Sequence, residues 1–201
     1  MYYESRSLLI SIICLFLLAA CGGGSDSSQV ESGTLFKGQF IDSSVANLRY
    51  RTDTQSGITN ANGEYDYKEG ETVTFSIGGI DLPSVKAKAT VTPLDLVSTT
   101  DTNNLTVVNI LRLLQSLDID GNPDNGITIG EDAHVTAQAM TLSFSSSVFE
   151  TDVINLISNS GSTTETLITA EAAKAHFQSS LDDLLHGGTS CIAPQTLVNG
   201  V

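Results

Sequence analysis

Basic residues are scarce in this sequence. Its 201 residues include nine lysines and arginines against 23 aspartates and glutamates, which gives a formal net charge of −14. A nucleic-acid-binding protein needs a basic stripe that contacts phosphates, and the sequence has no such stripe. We therefore expect no nucleic-acid partner. The acidic surplus favours solubility and is compatible with the binding of divalent cations.

Catalytic motifs are missing as well. The sequence contains neither a Gly-x-Ser-x-Gly nucleophile elbow nor a Walker phosphate-binding loop. The three histidines, His134, His176 and His186, follow no spacing typical of a metal site, and no cysteine pair accompanies them. We predict a protein without enzymatic activity and without catalytic residues.

The N-terminal segment has the pattern of an export signal. Residues 8–20 (LLISIICLFLLAA) form an apolar run of 13 residues, the length of a signal-peptide core and too short for a membrane span. The run ends in Leu18-Ala19-Ala20-Cys21. This ending resembles the lipobox of bacterial lipoproteins. The resemblance implies removal of residues 1–20, a diacylglycerol on the Cys21 thiol, and acylation, for example with palmitate, of the new amino terminus.

The residue after the lipobox bears on the destination of the protein. Gly22 follows Cys21, where lipoproteins retained in the inner membrane carry aspartate. The resemblance therefore implies an outer-membrane location, on either the periplasmic or the surface face. Several acyl chains, at about 0.8 kcal/mol for each buried methylene, anchor a protein stably, so the membrane itself is the expected partner.

Cysteine is rare, with three residues in the chain. Cys14 lies in the segment that signal cleavage would remove, and lipidation would occupy Cys21. Cys191 then remains alone, so no intrachain disulfide is available and the fold must depend on packing or on a metal. Cys191 either pairs with a second molecule or stays a thiol in a loose tail.

Residues 21–33 and 34–97 differ sharply in composition. The first range, CGGGSDSSQVESG, consists mostly of glycine, serine and acidic residues and predicts a flexible tether. The second range has runs of alternating apolar and polar residues, separated by turns at roughly 8–12 residue spacing. We therefore predict a β-sandwich-like module over residues 34–97.

Part of this β module resembles a known family. The segments GQFIDSSVANLRY (residues 38–50) and GITNANGEY (residues 57–65), followed by Gly70, are similar to carboxypeptidase-regulatory-like, or transthyretin-like, modules. The resemblance covers roughly residues 34–80. It implies a structural or binding domain and supplies no catalytic residues.

The second half of the chain has the periodicity of helices. Apolar residues recur at helical spacing on one stripe of residues 104–117, which predicts a buried helix. The predicted helices cover residues 104–117, 131–140, 150–158 and 169–186. The predicted helical region is 98–188, and residues 189–201 form a loose tail. The whole prediction is an α+β fold, with a small antiparallel β-sandwich or barrel followed by a helical C-terminal part.

An acidic loop follows the first helix. Five of its residues place many side-chain oxygens within eight positions: Asp118, Asp120, Asn122, Asp124 and Asn125. The alternating positions 118, 120 and 122 resemble the first half of calcium loops, in which such oxygens converge on a hard cation. These five residues are the candidate ligands of a calcium ion, the one cofactor besides the lipid on Cys21 that the sequence suggests.

Two interpretations of this loop remain open. It is not an EF-hand, because Pro123 and Ile129 stand where that motif needs a glycine and a glutamate; Glu131 or a distant carboxylate would have to complete a different cage. Alternatively, the side chains form Asx-turns, with Gly121 and Gly126 in unusual backbone conformations, and no metal is needed. Against that alternative, closely packed carboxylates repel one another without a cation.

The order of these features suggests three functions. A lipobox, a β module, the sequence LQSLDIDGNPDNGI and terminal helices together resemble uncharacterised bacterial surface lipoproteins and N-terminal modules of larger secreted proteins. Our first hypothesis is a non-enzymatic outer-membrane lipoprotein that serves binding, adhesion to a protein or glycan, or envelope structure. The second is a calcium-responsive accessory module of a surface system. The third is a remnant or fragment of a surface hydrolase.

Overall fold

Strands come first and helices follow in residues 33–187, the part of the chain that the computed structural model describes. The strands are β1 (Leu35–Phe40), β2 (Val45–Ala46), β3 (Arg49–Arg51), β4 (Ser56–Ile58), β5 (Glu64–Lys68), β6 (Thr72–Ile77), β7 (Ile80–Asp81), β8 (Val85–Lys86), β9 (Thr90–Val91) and β10 (Ile127–Thr128). The helices are α1 (Pro93–Val97), α2 (Leu105–Ser116), α3 (Glu131–Thr136), α4 (Phe149–Ser158) and α5 (Ala170–His186). The predicted α+β fold is confirmed, although no barrel closes among these strands. The predicted signal segment, Cys21 and Cys191 lie outside the described residues.

The strands of residues 35–91 form two main sheets. In the first, β1 lies between β5, its antiparallel neighbour, and β9, its parallel neighbour. The second has the order β4-β3-β6-β7, with β8 also paired to β6, and all its pairs are antiparallel. A further parallel pair joins β10 to β2, with Ile127 opposite Val45. The two parallel pairs depart from the purely antiparallel arrangement that the sequence predicts.

An aromatic core joins the two main sheets. Alternation along β5 (EYDYK) turns Tyr65 and Tyr67 inward and leaves the three charged residues of the strand partly exposed. The Phe40 ring of β1 lies 4.7 Å from the Phe75 ring of β6, and Tyr65 meets the same Phe75 edge-on at 5.2 Å. Such contacts contribute about 0.5–1.5 kcal/mol each beyond the burial of the rings.

Gly38 leaves room for the Tyr65 ring to lie against β1 and to reach the backbone of Lys88. The Tyr65 hydroxyl donates to the backbone oxygen of Lys88 at 2.7 Å and accepts from the Lys88 amide at 3.1 Å. The ring therefore lies across β1 at Gly38, where a Cβ atom would overlap it and would lie 2.5 Å from the Lys88 oxygen. Burial raises the pKa of Tyr65 to about 12, so its hydroxyl stays protonated and keeps donating.

Helix α2 packs against both the sheets and α5. Asn104 caps it, accepting from the Thr106 amide at 3.0 Å. The predicted apolar stripe is buried, which confirms the buried helix: the fully enclosed side chains are Val107, Ile110, Leu111, Leu113, Leu114 and Leu117. Most of these belong to the main core shared with the strands, whereas Val107 and Leu111 pack against Ala173 and Phe177 of α5.

The remaining helices match the predicted ranges with shifted ends. Helix α5 begins after Thr169, whose hydroxyl accepts from the Ala172 amide at 3.2 Å, as the sequence predicts. Helix α3 stops at Thr136, short of the predicted residue 140. The segment 34–97, predicted as a β-sandwich-like module, also contains α1, where Pro93 occupies the first helical position. None of these described helices is both long and apolar enough to cross a membrane.

A buried carboxyl group links the first sheet to the helices. Both carboxyl oxygens of Asp42 accept from the side-chain amide of Gln115, at 3.0 and 3.1 Å, and the same amide donates to the Ala173 oxygen at 3.2 Å. Ser180 of α5 donates to the backbone oxygen of Asp42 at 2.9 Å. Asp42 is fully buried, and this burial raises its pKa well above 3.8.

The raised pKa of Asp42 predicts a pH dependence of stability. The folded state favours the neutral carboxyl of Asp42. The contribution of this group to stability is therefore fully present below pH 3.8 and is lost as the pH rises through the raised pKa. We expect the free energy of unfolding of Asp42→Asn, relative to wild type, to increase as the pH rises above 3.8. Urea melts of both proteins measure this difference, and parallel pH profiles would contradict it.

Candidate functional site

The acidic loop runs from the end of α2 to β10 and is fixed at both ends. Leu117 closes α2, and Asp118 forms a bridge with Ile129 beyond β10. The Ile119 amide donates to the Thr128 oxygen at 3.0 Å, which holds the two arms of the loop side by side. The two ends of the loop are therefore held in fixed positions relative to each other.

Asp120 organises the tip of the loop. Its Oδ1 accepts from the Asn122 amide and its Oδ2 from the Asn125 side-chain amide, each at 2.9 Å. These hydrogen bonds, that from Asn125 first, lower the pKa of Asp120. Gly121 and Gly126 have φ angles of 69° and 103°, as the Asx-turn interpretation predicts. The hydrogen bonds of an Asx-turn are therefore present at the loop tip.

Asp118 is the buried acid of the loop. The residue is 1% exposed, and its Oδ1 accepts from the Thr128 amide at 2.8 Å. Its Oδ2 is buried and has no hydrogen-bond partner among the described residues. Burial, and next the adjacent carboxylate of Asp120, raise the pKa of Asp118. Two acidic groups thus lie close together with one oxygen unpaired.

A cavity of about 200 Å³ lies in this loop. Its lining residues are Asp118, Ile119, Asp120, Asn125, Gly126 and Thr128. Three of the five residues predicted as calcium ligands, Asp118, Asp120 and Asn125, therefore meet at one cavity. The loop brings together two carboxylates and one amide side chain, whose oxygens are hard donors of the kind that calcium prefers.

The other predicted ligands are placed differently. Asp124 is exposed, and its Oδ1 lies 3.1 Å from Nδ1 of His176 on α5. Asn122 contributes its backbone amide to the Asp120 turn and does not line the cavity. Glu131, a possible further ligand, lies 3.6 Å from the Arg49 guanidinium instead. Within residues 33–187, no three acidic, histidine or cysteine side chains form a group that could hold a metal. Any cation here must rely on two carboxylates and neutral oxygens.

Neighbouring segments hold the outside of the loop. The Ser43 hydroxyl donates to the Pro123 oxygen at 2.8 Å, and the Ile127 amide donates to the Ser44 oxygen at 3.0 Å. On the other side, the Ser162 hydroxyl donates to the backbone oxygen of Asp118 at 2.6 Å. The cavity is therefore built on a loop that contacts the turn between β1 and β2, the segment before α5, and α5 itself.

One histidine has a structural role that its sequence position did not reveal. His134 of α3 is 2% exposed; its Nδ1 accepts from the Gly78 amide at 3.0 Å, and its Nε2 donates to the Asn47 oxygen at 2.7 Å. Burial lowers its pKa, so the neutral ring with its proton on Nε2 is favoured. No local pattern marks this residue, because both partners come from distant turns.

Comparison with known proteins gives a partial similarity. A protein of Escherichia coli (strain K12) named "Putative lipoprotein AcfD homolog" is 30% identical to this chain over 132 residues. The match covers 50% of this chain but only 8% of that protein. No family model matches the chain, and no solved structure matches it. The similarity agrees with a lipoprotein of the cell envelope.

Proposed function

We propose that this chain is an outer-membrane lipoprotein, anchored through a lipid on Cys21, whose folded part serves binding, adhesion or envelope structure without catalysis. The observation that carries the proposal is the apolar run that ends in Leu18-Ala19-Ala20-Cys21. The relative named a putative lipoprotein supports the lipoprotein part of this proposal. Because the match covers 8% of that relative, nothing more of its role is carried over.

The use of the buried polar side chains supports a non-catalytic role. The Asp42 carboxyl joins the first sheet to α2 through Gln115, and His134 joins α3 to two turns through Gly78 and Asn47. These are groups that could take up or release protons in a reaction. Here their polar atoms are engaged in holding elements together, as in a scaffold.

The resemblance of residues 34–80 to carboxypeptidase-regulatory-like modules supports a binding or structural role for the β part. The two sheets meet through the aromatic rings described above, and the strand at one edge, β4, has exposed residues at all three positions. The partner we propose is a protein or glycan at the cell surface. Because acidic residues greatly outnumber basic ones, we propose no nucleic-acid partner.

Radiolabelled palmitate tests the lipid anchor. We expect the full chain, expressed in a Gram-negative host, to incorporate the label and to fractionate with the outer membrane. Cys21→Ala should abolish both, because it removes the proposed acylation site. Cys191→Ala, the matched cysteine control, should leave both unchanged. Equal labelling of wild type and Cys21→Ala would refute the proposal.

A second variant tests the destination separately from the anchor. Gly22→Asp should keep the palmitate label but move the protein to the inner-membrane fraction, as the lipoprotein sorting rule implies. Protease treatment of intact cells then distinguishes the surface face from the periplasmic face for wild type. Labelled wild type found mainly in the inner membrane would contradict the outer-membrane part of the proposal.

A further inference from the structure

We propose that the cavity lined by Asp118, Asp120 and Asn125 is a calcium site. The proposal does not depend on the lipid anchor, because it rests on the geometry of the acidic loop alone. It goes beyond the Asx-turn chemistry of the loop tip, since that chemistry engages Asp120 and leaves the buried acid, Asp118, incompletely paired.

The unpaired oxygen of Asp118 is the observation that points to a ligand. Buried polar atoms in proteins are nearly always paired, and an unpaired buried carboxylate oxygen is more costly than an unpaired neutral one. Asp118 Oδ2 is buried without a partner in residues 33–187, while Oδ1 of the same group is already bonded to the Thr128 amide. A cation in the adjoining cavity supplies the missing partner.

Electrostatics within the loop favours a cation over a neutral ligand. Asp118 and Asp120 line the same cavity, and their carboxylates repel one another when both are ionised. No basic side chain lines the cavity that could offset this charge. A divalent cation between the two groups neutralises both at once. The alternative partner, a single proton shared by the pair, would leave no metal response, which the experiment below measures.

The donor set favours calcium over magnesium. Calcium accepts six to eight oxygen ligands in irregular arrangements at about 2.3–2.6 Å, whereas magnesium requires a near-ideal octahedron at about 2.0–2.1 Å. The loop offers two carboxylates and one amide side chain on an irregular turn, and the cavity of about 200 Å³ leaves room for water ligands. With two carboxylates, the affinity belongs to the weak range of extracellular modules, with Kd of about 10⁻⁴–10⁻³ M.

Calcium bound here acts on the whole folded part. The backbone oxygen of Asp118 accepts from the Ser162 hydroxyl, and the backbone oxygen of Pro123, at the tip of the loop, accepts from the Ser43 hydroxyl. Asp124, in the same loop, contacts His176 of α5. A cation that fixes the loop therefore stabilises the junction between the strands and the last helix, and the effect is visible in global unfolding.

Thermal melts of the full chain, purified in a neutral detergent, test the site. At a calcium concentration about ten times Kd, the Tm of wild type should rise by about 3–6 °C relative to EDTA. Asp118→Asn and Asp120→Asn should lose this rise. Asp124→Asn, the matched control, removes a carboxylate from the same loop without removing a cavity-lining group, and it should keep the rise. Titration calorimetry should give one calcium per chain.

Two further readouts keep the test decisive. In EDTA, Asp118→Asn should melt at or above the wild-type temperature, because it removes a buried unpaired charge. A loss of the calcium response in this variant then cannot be explained by unfolding. Magnesium at the same concentration should produce less than half of the calcium shift. An absent shift in wild type, an unchanged shift in Asp118→Asn, or equal shifts with both metals would overturn the calcium site.

Discussion

Replacing Gly38 with alanine should destabilise the folded part by about 3 kcal/mol or more, at the upper end of overpacking substitutions. The new Cβ would overlap the Tyr65 ring and lie 2.5 Å from the Lys88 backbone oxygen. Strand β1 cannot shift away, because it is paired with β5 on one side and with β9 on the other. Thermal melts should show a fall in Tm of about 6–12 °C, as expected for a domain of this size.

A second glycine separates this steric effect from loss of glycine flexibility. A Cβ at Gly70 would meet no atom within 4 Å, but its φ of 88° is unfavourable for alanine. Gly70→Ala should therefore cost only about 1 kcal/mol, the price of backbone strain alone. In a double-mutant cycle, Gly38→Ala and Tyr65→Ala should destabilise less together than the sum of the two single changes. Additive effects, or equal losses for the two glycines, would refute the proposed clash.

His134→Ala should be the second large loss, at about 3–4 kcal/mol. The imidazole accepts from Gly78 and donates to Asn47, so truncation leaves two polar backbone groups unpaired, at about 1–3 kcal/mol for each that cannot reach water. It also removes a buried ring from between α3 and the turn of β6 and β7. Denaturant melts measure the loss, and His134→Gln, which keeps both a donor and an acceptor, should recover part of it.

His134 gives the free energy of unfolding a pH dependence that is opposite in sign to the one from Asp42. Its pKa in the folded protein lies below the ordinary 6.5, so its contribution is fully present above pH 6.5 and is lost as the pH falls through the lowered value. The main cause of the lowered pKa is burial of the ring. A protonated Nδ1 would also face the Gly78 amide, which is itself a donor. His134→Ala should lack this acid-side loss, and retention of it in the variant would assign it to another group.

The helices could be predicted well because their signals are local. The apolar period that predicts a helix over residues 104–117 lies within that segment, and the structure has α2 there. Helix α5 likewise falls within the predicted range 169–186. Strand patterns were local too, as the alternating EYDYK sequence of β5 illustrates. Which strands pair with one another is not determined by the local sequence of each strand. Alternation indicates which face of a strand is buried, but it contains no information that β9 and β10 form parallel pairs.

The candidate site could be predicted only in part. Sequence spacing indicated turn chemistry at Asp120, and the Asx-turn is present. It grouped Asp118 and Asp124 as equivalent acids, yet one is buried beside Thr128 and the other is exposed beside His176. The difference arises because distant residues, such as Ser43 and Ser162, fix the direction of the loop. The burial of Asp42 had no sequence signal at all, since its partner Gln115 is 73 positions away.

The contact between Ser180 and Asp42 has a consequence for the order in which the chain can mature. It joins residues 138 positions apart, and strand β2 acquires its parallel neighbour only when Ile127 is available. A growing chain that emerges amino terminus first therefore cannot complete its native contacts until α5 has been synthesised, and such non-local contacts slow folding. For a protein that is to pass through a membrane as an extended polypeptide, this delay is an advantage. For the exported lipoprotein proposed above, the incomplete chain would remain competent for translocation until α5 has been made.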